Sequence, residues 1–230
     1  EEVNIYQNLK SPWKDAANAD IKKWYNLSIL KELEAKDILS LPSGGNFLSH
    51  YYHTVTIESL SFEKGIVTNK GYRLLNKVTW LDNVLDIFGP QKGRCLQFSR
   101  FLTNPSFYNL TNLDLSKTPM NDYAIKYLFL HNHFKNLSNL ILLATYITAE
   151  GCYYLSQSPG LQELVSLTIV DTGAGGDEGM KHLSRSKYLQ KLESLNVFDN
   201  VELTDLGLAY LSQAKYITSL QELVLEGCNI

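Results

Sequence analysis

Apolar residues recur along the second half of the chain in a fixed pattern, with polar residues between them. Aligned on Leu-x-x-Leu-x-Leu, five successive units begin at Leu110, Leu137, Leu164, Leu192 and Leu220. The start-to-start spacings, by subtraction, are 27, 27, 28 and 28 residues. Such a regular period indicates one structural unit that is repeated and stacked, rather than a chain wound once around a single core.

Each unit contains two different periodicities. The first half alternates apolar and polar residues, as a short β-strand does, and the second half is helical, as in residues 179–183 and 207–211. One strand and one helix cannot bury their own apolar faces, so the pattern predicts an α/β solenoid with a parallel sheet on one face and helices on the other. The residues predicted to cap the helices are Asn121-Asp122, Asp177 and Thr204-Asp205.

The pattern continues more weakly towards the N-terminus, through Ile57-x-x-Leu60 and Leu30-x-x-Leu33. Val84-x-x-Ile87 also fits, although Gly89-Pro90 is expected to spoil its strand. We therefore predict about seven to eight repeats. We divide the chain into a capping helix region in residues 1–29, divergent repeats in 30–109 and regular repeats of 27–28 residues in 110–230.

Two motifs resemble a known family. Leu203-Thr-Asp-x-Gly207-Leu208-x-x-Leu211 and the strand end around Cys228 look like leucine-rich repeats of the subclass found in ribonuclease inhibitor and in F-box proteins. The resemblance implies a curved solenoid that binds proteins on its concave face. No F-box pattern is present in the N-terminal part of the sequence. The position of Cys228 is occupied by other residues in the preceding units, namely Thr118, Thr145, Thr172 and Asn200.

Composition narrows the choice of partner. The chain of 230 residues has 38 Leu and a formal net charge of −3, so it lacks the basic excess that binds a phosphate backbone. No apolar run reaches the length of a membrane span. Three Cys cannot form a disulfide framework and favour a reducing compartment. We expect a cytoplasmic monomer, or a protein delivered into a host cytosol, that binds another protein and neither nucleic acid nor membrane.

Candidate catalytic and metal-binding residues are sparse. His131 and His133 lack further ligands nearby in the sequence, and His50 and His53 flank two tyrosines. The glycine-rich stretch 173–179 lies between a strand and a helix, but it has no Gly-Lys-Ser/Thr ending and contains acidic residues, so we interpret it as a flexible loop that absorbs the extra residue of a 28-residue unit. We expect no metal, no cofactor and no enzymatic activity.

The cysteines and the one basic cluster also have structural explanations. Cys152 falls on a predicted helix core position, Cys228 at a strand end and Cys95 in a divergent unit, with no catalytic arrangement around them. We interpret the basic cluster as a solvated convex face rather than a nucleic-acid or lipid-headgroup site. Its members are Lys181, Arg185, Lys187 and Lys191.

Strand alternation predicts which side chains face outward from the sheet. Leu143, Val170 and Phe198 fall at equivalent positions of consecutive units, and Ile141 and Val224 fall beside them. We predict that these five form one apolar patch, because neighbouring strands are only about 4.8 Å apart. Carboxylates are expected to rim it, at Asp114, Asp171, Asp199 and Glu226. The predicted partner-binding residues are Asp114, Ile141, Leu143, Thr168, Val170, Asn196, Phe198, Val224 and Glu226.

The sequence therefore predicts a non-catalytic protein-interaction module. A bacterial effector acting on a host protein is favoured by the Asn-, Lys-, Ile- and Tyr-rich composition, with 18 Asn, which is common in proteins from AT-rich genomes. The substrate-recognition part of a ubiquitin-ligase adaptor is the alternative that the resemblance suggests. An alternative of another class is a ligand-binding or enzymatic site in residues 1–109, where Trp13, Trp24, Trp80 and Tyr51-Tyr52 lie.

Overall fold

Short parallel strands dominate the architecture. The computed structural model describes residues 32–34, 58–62, 72–73, 76, 80–93, 95–130 and 134–230. Eight strands of three residues form one parallel sheet in chain order. They are β1 (Glu32–Glu34), β2 (Ser59–Ser61), β3 (Asp86–Phe88), β4 (Asn112–Asp114), β5 (Asn139–Ile141), β6 (Ser166–Thr168), β7 (Ser194–Asn196) and β8 (Glu222–Val224).

The register of the sheet follows the repeat. The central residue of every strand pairs with the central residue of the next, so one row of apolar residues runs across the sheet: Leu33, Leu60, Ile87, Leu113, Leu140, Leu167, Leu195 and Leu223. A shift by one residue would turn this row outward, which is why the register is fixed. The predicted α/β solenoid is confirmed.

The expectation that Gly89-Pro90 would spoil its strand is wrong. β3 pairs with both neighbours, because a strand of only three residues ends before Gly89. Gly89 also allows a close approach between units, since a Cβ atom there would lie 2.3 Å from the Thr118 hydroxyl oxygen. The proposed capping helix in 1–29 lies outside the described residues.

Helices of eight residues follow five of the strands. They are α1 (Cys95–Leu102), α2 (Asp122–Phe129), α3 (Ala149–Ser156), α4 (Asp177–Ser184) and α5 (Asp205–Ser212). Short 3-10 helices occur at Trp80–Asn83, Pro105–Asn109 and Pro159–Leu161. Consecutive helices pack against one another. Helix axes pack about 8–10 Å apart and strands about 4.8 Å apart, so the sheet is the concave side of the stack.

Helix starts agree with the sequence at two of the three predicted caps. The side chains of Asn121 and Thr204 accept hydrogen bonds from backbone N–H groups of α2 and α5. Asp177 is not a cap, because Gly176 occupies that position and Asp177 is the first residue of α4. Asp177 instead accepts hydrogen bonds from the next unit: from Thr204 N and its hydroxyl and from Gly207 N, each at 2.8 Å.

A left-handed turn ends each of the five C-terminal strand segments. Its residues share a positive φ of 51° to 77° and recur at the period of the repeat: Lys117, Ala144, Asp171, Asp199 and Gly227. Four of the five are not glycine, although a positive φ is unfavourable for residues with a Cβ atom. Backbone hydrogen bonds to the next unit hold the turn, as from Ala144 N to Val170 O and from Asp199 N to Glu226 O.

Candidate functional site

The outward-facing side chains of the sheet follow the predicted alternation. Leu113, Leu140 and Leu167 are fully buried between sheet and helices. The residues on either side of them, such as Asp114 and Ile141, are half-exposed on the concave face. Short strands position these side chains rigidly, because both neighbours in the sheet fix each backbone.

Three apolar residues follow the ends of consecutive strands at equivalent positions. We call Leu143, Val170 and Phe198 the concave patch. Val170, the middle member, is only 7% exposed and is therefore buried, so the prediction that it stands exposed on this face is wrong. Phe198 remains 36% exposed. Its backbone N–H donates to the side-chain carbonyl of Asn196, which fixes the turn that carries the ring.

Ile141 and Val224 do not join this patch as closely as predicted. The register aligns Ile141 with Thr168, Thr168 with Asn196, and Asn196 with Val224. Two polar side chains therefore separate the two apolar ones along the same row. Ile141 borders the concave patch at one side and Val224 at the other, so the predicted five-residue patch is a row of three with two flanking residues.

The predicted acidic rim has two kinds of members. The Asp114 carboxylate accepts a hydrogen bond from Ser116 N at 2.8 Å, so it is part of a turn. Asp171 and Asp199 occupy equivalent left-handed turns next to the concave patch, and Glu226 follows in the last unit. All three of these are exposed, and none forms an ion pair with another described residue.

A second apolar surface was missed at the sequence level. Tyr146 is 72% exposed and Val201 is 68% exposed, at equivalent positions in the loops between strand and helix. Tyr123, Leu206 and Ile230 are exposed on the same edge of the solenoid. The sequence signal of Tyr146 and Val201 is weak, because these loop positions follow neither the strand nor the helix period.

The glycine-rich stretch is packed more tightly than expected of a flexible loop. Gly175, Gly176 and Gly179 are buried. A Cβ atom would lie 2.1 Å from the Asn200 side chain at Gly175, 2.9 Å from Glu202 at Gly176, and 1.7 Å from the carbonyl oxygen of Ala174 at Gly179. Three of the glycines thus allow the backbone to approach its neighbours, and the stretch forms no open phosphate cradle.

Asn200 and Cys228 occupy the same position of their units, and both side chains donate hydrogen bonds to backbone carbonyl groups. The Asn200 amide donates to Ile169 O at 2.7 Å and to Val197 O at 2.8 Å. The Cys228 thiol donates to Val197 O at 3.2 Å. The Thr145 hydroxyl likewise donates to Leu142 O at 3.4 Å, whereas the buried Thr118 hydroxyl has no hydrogen-bond partner in the described part of the chain, so this bond is not required in every unit.

The thiols are structural in character. The Cys152 thiol is fully buried, donates to Ala174 O at 3.3 Å, and has its pKa raised to about 12 by burial and by the charge of Asp122. Burial also raises the pKa of Cys95. Neither is therefore poised as a thiolate near neutral pH.

The basic cluster is partly paired. Lys181 forms an ion pair with Glu178 at 2.8 Å, and that hydrogen bond holds the pKa of Glu178 below its ordinary value. Lys191 pairs with Glu163. Both pairs are solvent-exposed, which agrees with a solvated convex face.

Neither a metal-ligand cluster nor a membrane-spanning helix is present in the part of the chain that the structure describes. No three His, Cys, Asp or Glu side chains are grouped there as metal ligands would be. No helix in that part has the length and apolarity to cross a bilayer. His50, His53, His131 and His133 lie outside the described residues.

One repeat of the chain matches a known family. Residues 188–212 match the family described as Leucine Rich repeat. No curated protein matches the chain. A similar solved structure is an internalin from Listeria monocytogenes, which is 15% identical with a TM-score of 0.47 over 78% of this chain and 44% of the internalin. The chain thus spans less than half the length of that protein.

Proposed function

We propose that this leucine-rich-repeat protein is a non-catalytic protein-binding module whose partner docks on the concave patch. The observation that carries the proposal is the row of Leu143, Val170 and Phe198 in consecutive units. Phe198 is exposed and Leu143 is half-exposed on either side of the buried Val170, and exposed apolar groups on a monomer mark interaction surfaces. Carboxylates at Asp171 and Asp199 flank the row, and an apolar centre with a polar rim is typical of protein interfaces.

Phe198 is the proposed anchor. It has the largest side chain of the concave patch, its backbone is fixed by Asn196, and it is exposed in the free protein. We predict that Phe198→Ala weakens partner binding by about 2 kcal/mol, or roughly 30-fold. Calorimetric titration of the isolated partner measures this value. An unchanged affinity for both Phe198→Ala and Leu143→Ala would refute docking on the concave patch.

Affinity capture from a host-cell cytosolic extract identifies the partner. The wild-type chain is compared with Leu143→Glu/Phe198→Glu, and folding of each variant is checked by circular dichroism. Tyr108→Glu/Leu130→Glu is the matched control, because it places two charges on exposed apolar residues away from the concave patch. A protein held by wild type and control but lost from the patch variant supports the proposal. Equal capture by all three contradicts it.

The biological role within this class is a bacterial effector that acts on a host protein in the cytosol. The composition, with 18 Asn, supports that role. The role of a ubiquitin-ligase substrate-recognition part is favoured instead by Cys228 and the full helix of each repeat, which resemble the F-box-protein subclass. Co-purification with ubiquitin-ligase subunits distinguishes the two roles. A thermal-shift screen with nucleotides and metals tests the remaining alternative, a ligand site in residues 1–109.

A further inference from the structure

The two edges of the regular repeats carry opposite charge. We define the strand-to-helix edge as residues 116–123, 143–150, 170–178, 198–206 and 226–230. Its only basic residue is Lys117, and its acidic residues are Asp122, Glu150, Asp171, Asp177, Glu178, Asp199, Glu202, Asp205 and Glu226. The opposite edge, where helices return to strands, has more basic than acidic residues: Lys135, Arg185, Lys187, Lys191 and Lys215, against Glu163 and Glu193.

Helix capping accounts for only part of this acidity. Asp122 and Asp177 are occupied by hydrogen bonds from Thr148 and Thr204 of the next units. Negative charge at a helix N-terminus is favourable there. Four further carboxylates lie in turns outside the helices, and none pairs with a basic group in the described part of the chain: Asp171, Asp199, Glu202 and Glu226.

A gap between two exposed apolar side chains lies among these carboxylates. Tyr146 and Val201 occupy the same position of their units and are both strongly exposed. Gly173 occupies that position in the unit between them: Tyr146 forms an isolated bridge with Asn121, and Gly173 forms the same bridge with Thr148. Two strand spacings separate the flanking side chains, so the gap is about 10 Å wide.

Gly173 differs from the buried glycines that follow it. It is exposed, and a Cβ atom there would meet its nearest atoms at 3.6 and 4.0 Å, which are ordinary contact distances. Its φ is not in the left-handed region. Neither packing nor backbone conformation therefore requires glycine here. The missing side chain opens the gap between Tyr146 and Val201.

We propose that this edge binds a basic, extended segment of the partner protein. One apolar side chain of the segment fills the gap over Gly173, and its Lys or Arg side chains pair with Asp171, Asp199 and Glu202. Charge complementarity selects this occupant, because the carboxylates repel nucleic acid and acidic segments. The inference rests on the proposed function, since Phe198 and Val201 are three residues apart and one partner covers both.

The test uses a phage library of random 16-residue peptides, selected on the wild-type chain. Enriched peptides are synthesised, and their affinities are measured for wild type and for Gly173→Leu, which fills the gap. A second variant, Asp171→Asn/Asp199→Asn/Glu202→Gln, removes the charges. Glu193→Gln, an exposed carboxylate on the opposite edge, is the control.

We expect enriched peptides with a net positive charge and at least one large apolar residue. Gly173→Leu should weaken their binding more than tenfold while the melting temperature stays unchanged. The three-charge variant should lose about tenfold at low salt, because each exposed pair contributes about 0.5 kcal/mol. The loss should shrink at high salt, where exposed charges are screened. Glu193→Gln should bind as wild type does.

Several outcomes overturn the proposal. They are enrichment of uncharged or acidic peptides, failure to enrich any peptide, and wild-type affinity in both edge variants. Concentration-dependent self-association that the three-charge variant abolishes would identify a second copy as the occupant, through its basic edge. Leu143→Glu/Phe198→Glu separates the two proposals. If only this variant abolishes binding, the partner docks on the concave patch and the proposal for the edge fails. If only the edge variants abolish binding, the partner docks on the edge and the proposal for the concave patch fails.

Discussion

Asp177 links two consecutive repeats, and its removal tests how the stack is held together. Its carboxylate accepts three hydrogen bonds of 2.8 Å from the following unit, two from Thr204 and one from Gly207 N. Gly207 is buried, and a Cβ atom there would lie 2.7 Å from the same carboxylate. In Asp177→Ala the part-buried Thr204 N–H loses its partner, whereas Gly207 N–H keeps a bond to Thr204 O at 3.0 Å.

The expected loss follows from these bonds. A donor left without a partner, here Thr204 N–H, costs about 1–3 kcal/mol, and a cap interaction at a helix start costs about 1 kcal/mol. We therefore predict that Asp177→Ala lowers the free energy of unfolding by about 3 kcal/mol. Asp122 has the same position in its unit, but among the described residues its carboxylate accepts only the two bonds from Thr148. Asp122→Ala should therefore lose about 2 kcal/mol.

Urea unfolding of the full chain, followed by circular dichroism, measures these values. Asp205→Ala is the control, because Asp205 also begins a helix but accepts no hydrogen bond from another unit in the described part of the chain. It should change stability by less than about 0.5 kcal/mol. An equal loss in all three variants would contradict the reasoning, since it would assign the effect to the helix N-terminus rather than to contact between units.

The same bonds predict a dependence on pH. Burial of Asp177 opposes ionisation, but the hydrogen bonds from Thr204 and Gly207 outweigh it and hold the pKa of the carboxyl below 3.8. A carboxyl whose pKa is lower in the folded state stabilises the protein above its unfolded pKa and loses that contribution as the pH falls through the folded value. The stability difference between wild type and Asp177→Asn should therefore shrink below pH 3.8.

Three further predictions concern buried positions. Gly179→Ala should destabilise the protein by more than about 2 kcal/mol in urea unfolding, because the Cβ atom would lie 1.7 Å from Ala174 O. Cys152 should react with a thiol reagent at pH 8 far more slowly than Cys228, because the Cys152 thiol is buried and its pKa is about 12. Mass spectrometry of the labelled protein measures the two rates. Asn200→Leu should cost about 2–3 kcal/mol by the same unfolding assay, because the bonded carbonyl groups lose their buried donor.

The sequence determined the repeat, the register and the direction of the concave side chains. Leu113, Leu140 and Leu167 recur at a fixed spacing, and burial of that row permits only one register. The cap residues Asn121 and Thr204 could be identified because a side-chain oxygen before an apolar helix has a local effect on backbone N–H groups. The expectation for Gly89-Pro90 failed because the length of the strand was not encoded in the pattern.

The tertiary structure alone decided how neighbouring units meet. The hydrogen bonds of Asp177 join atoms about 27 to 30 residues apart, and no local period signals them. The gap over Gly173 exists only because stacking places that glycine between Tyr146 and Val201. Periodic burial is a property of one unit and can be read along the chain. Contacts between units depend on which residues the stacking places next to each other, and so do the surfaces that these contacts leave exposed.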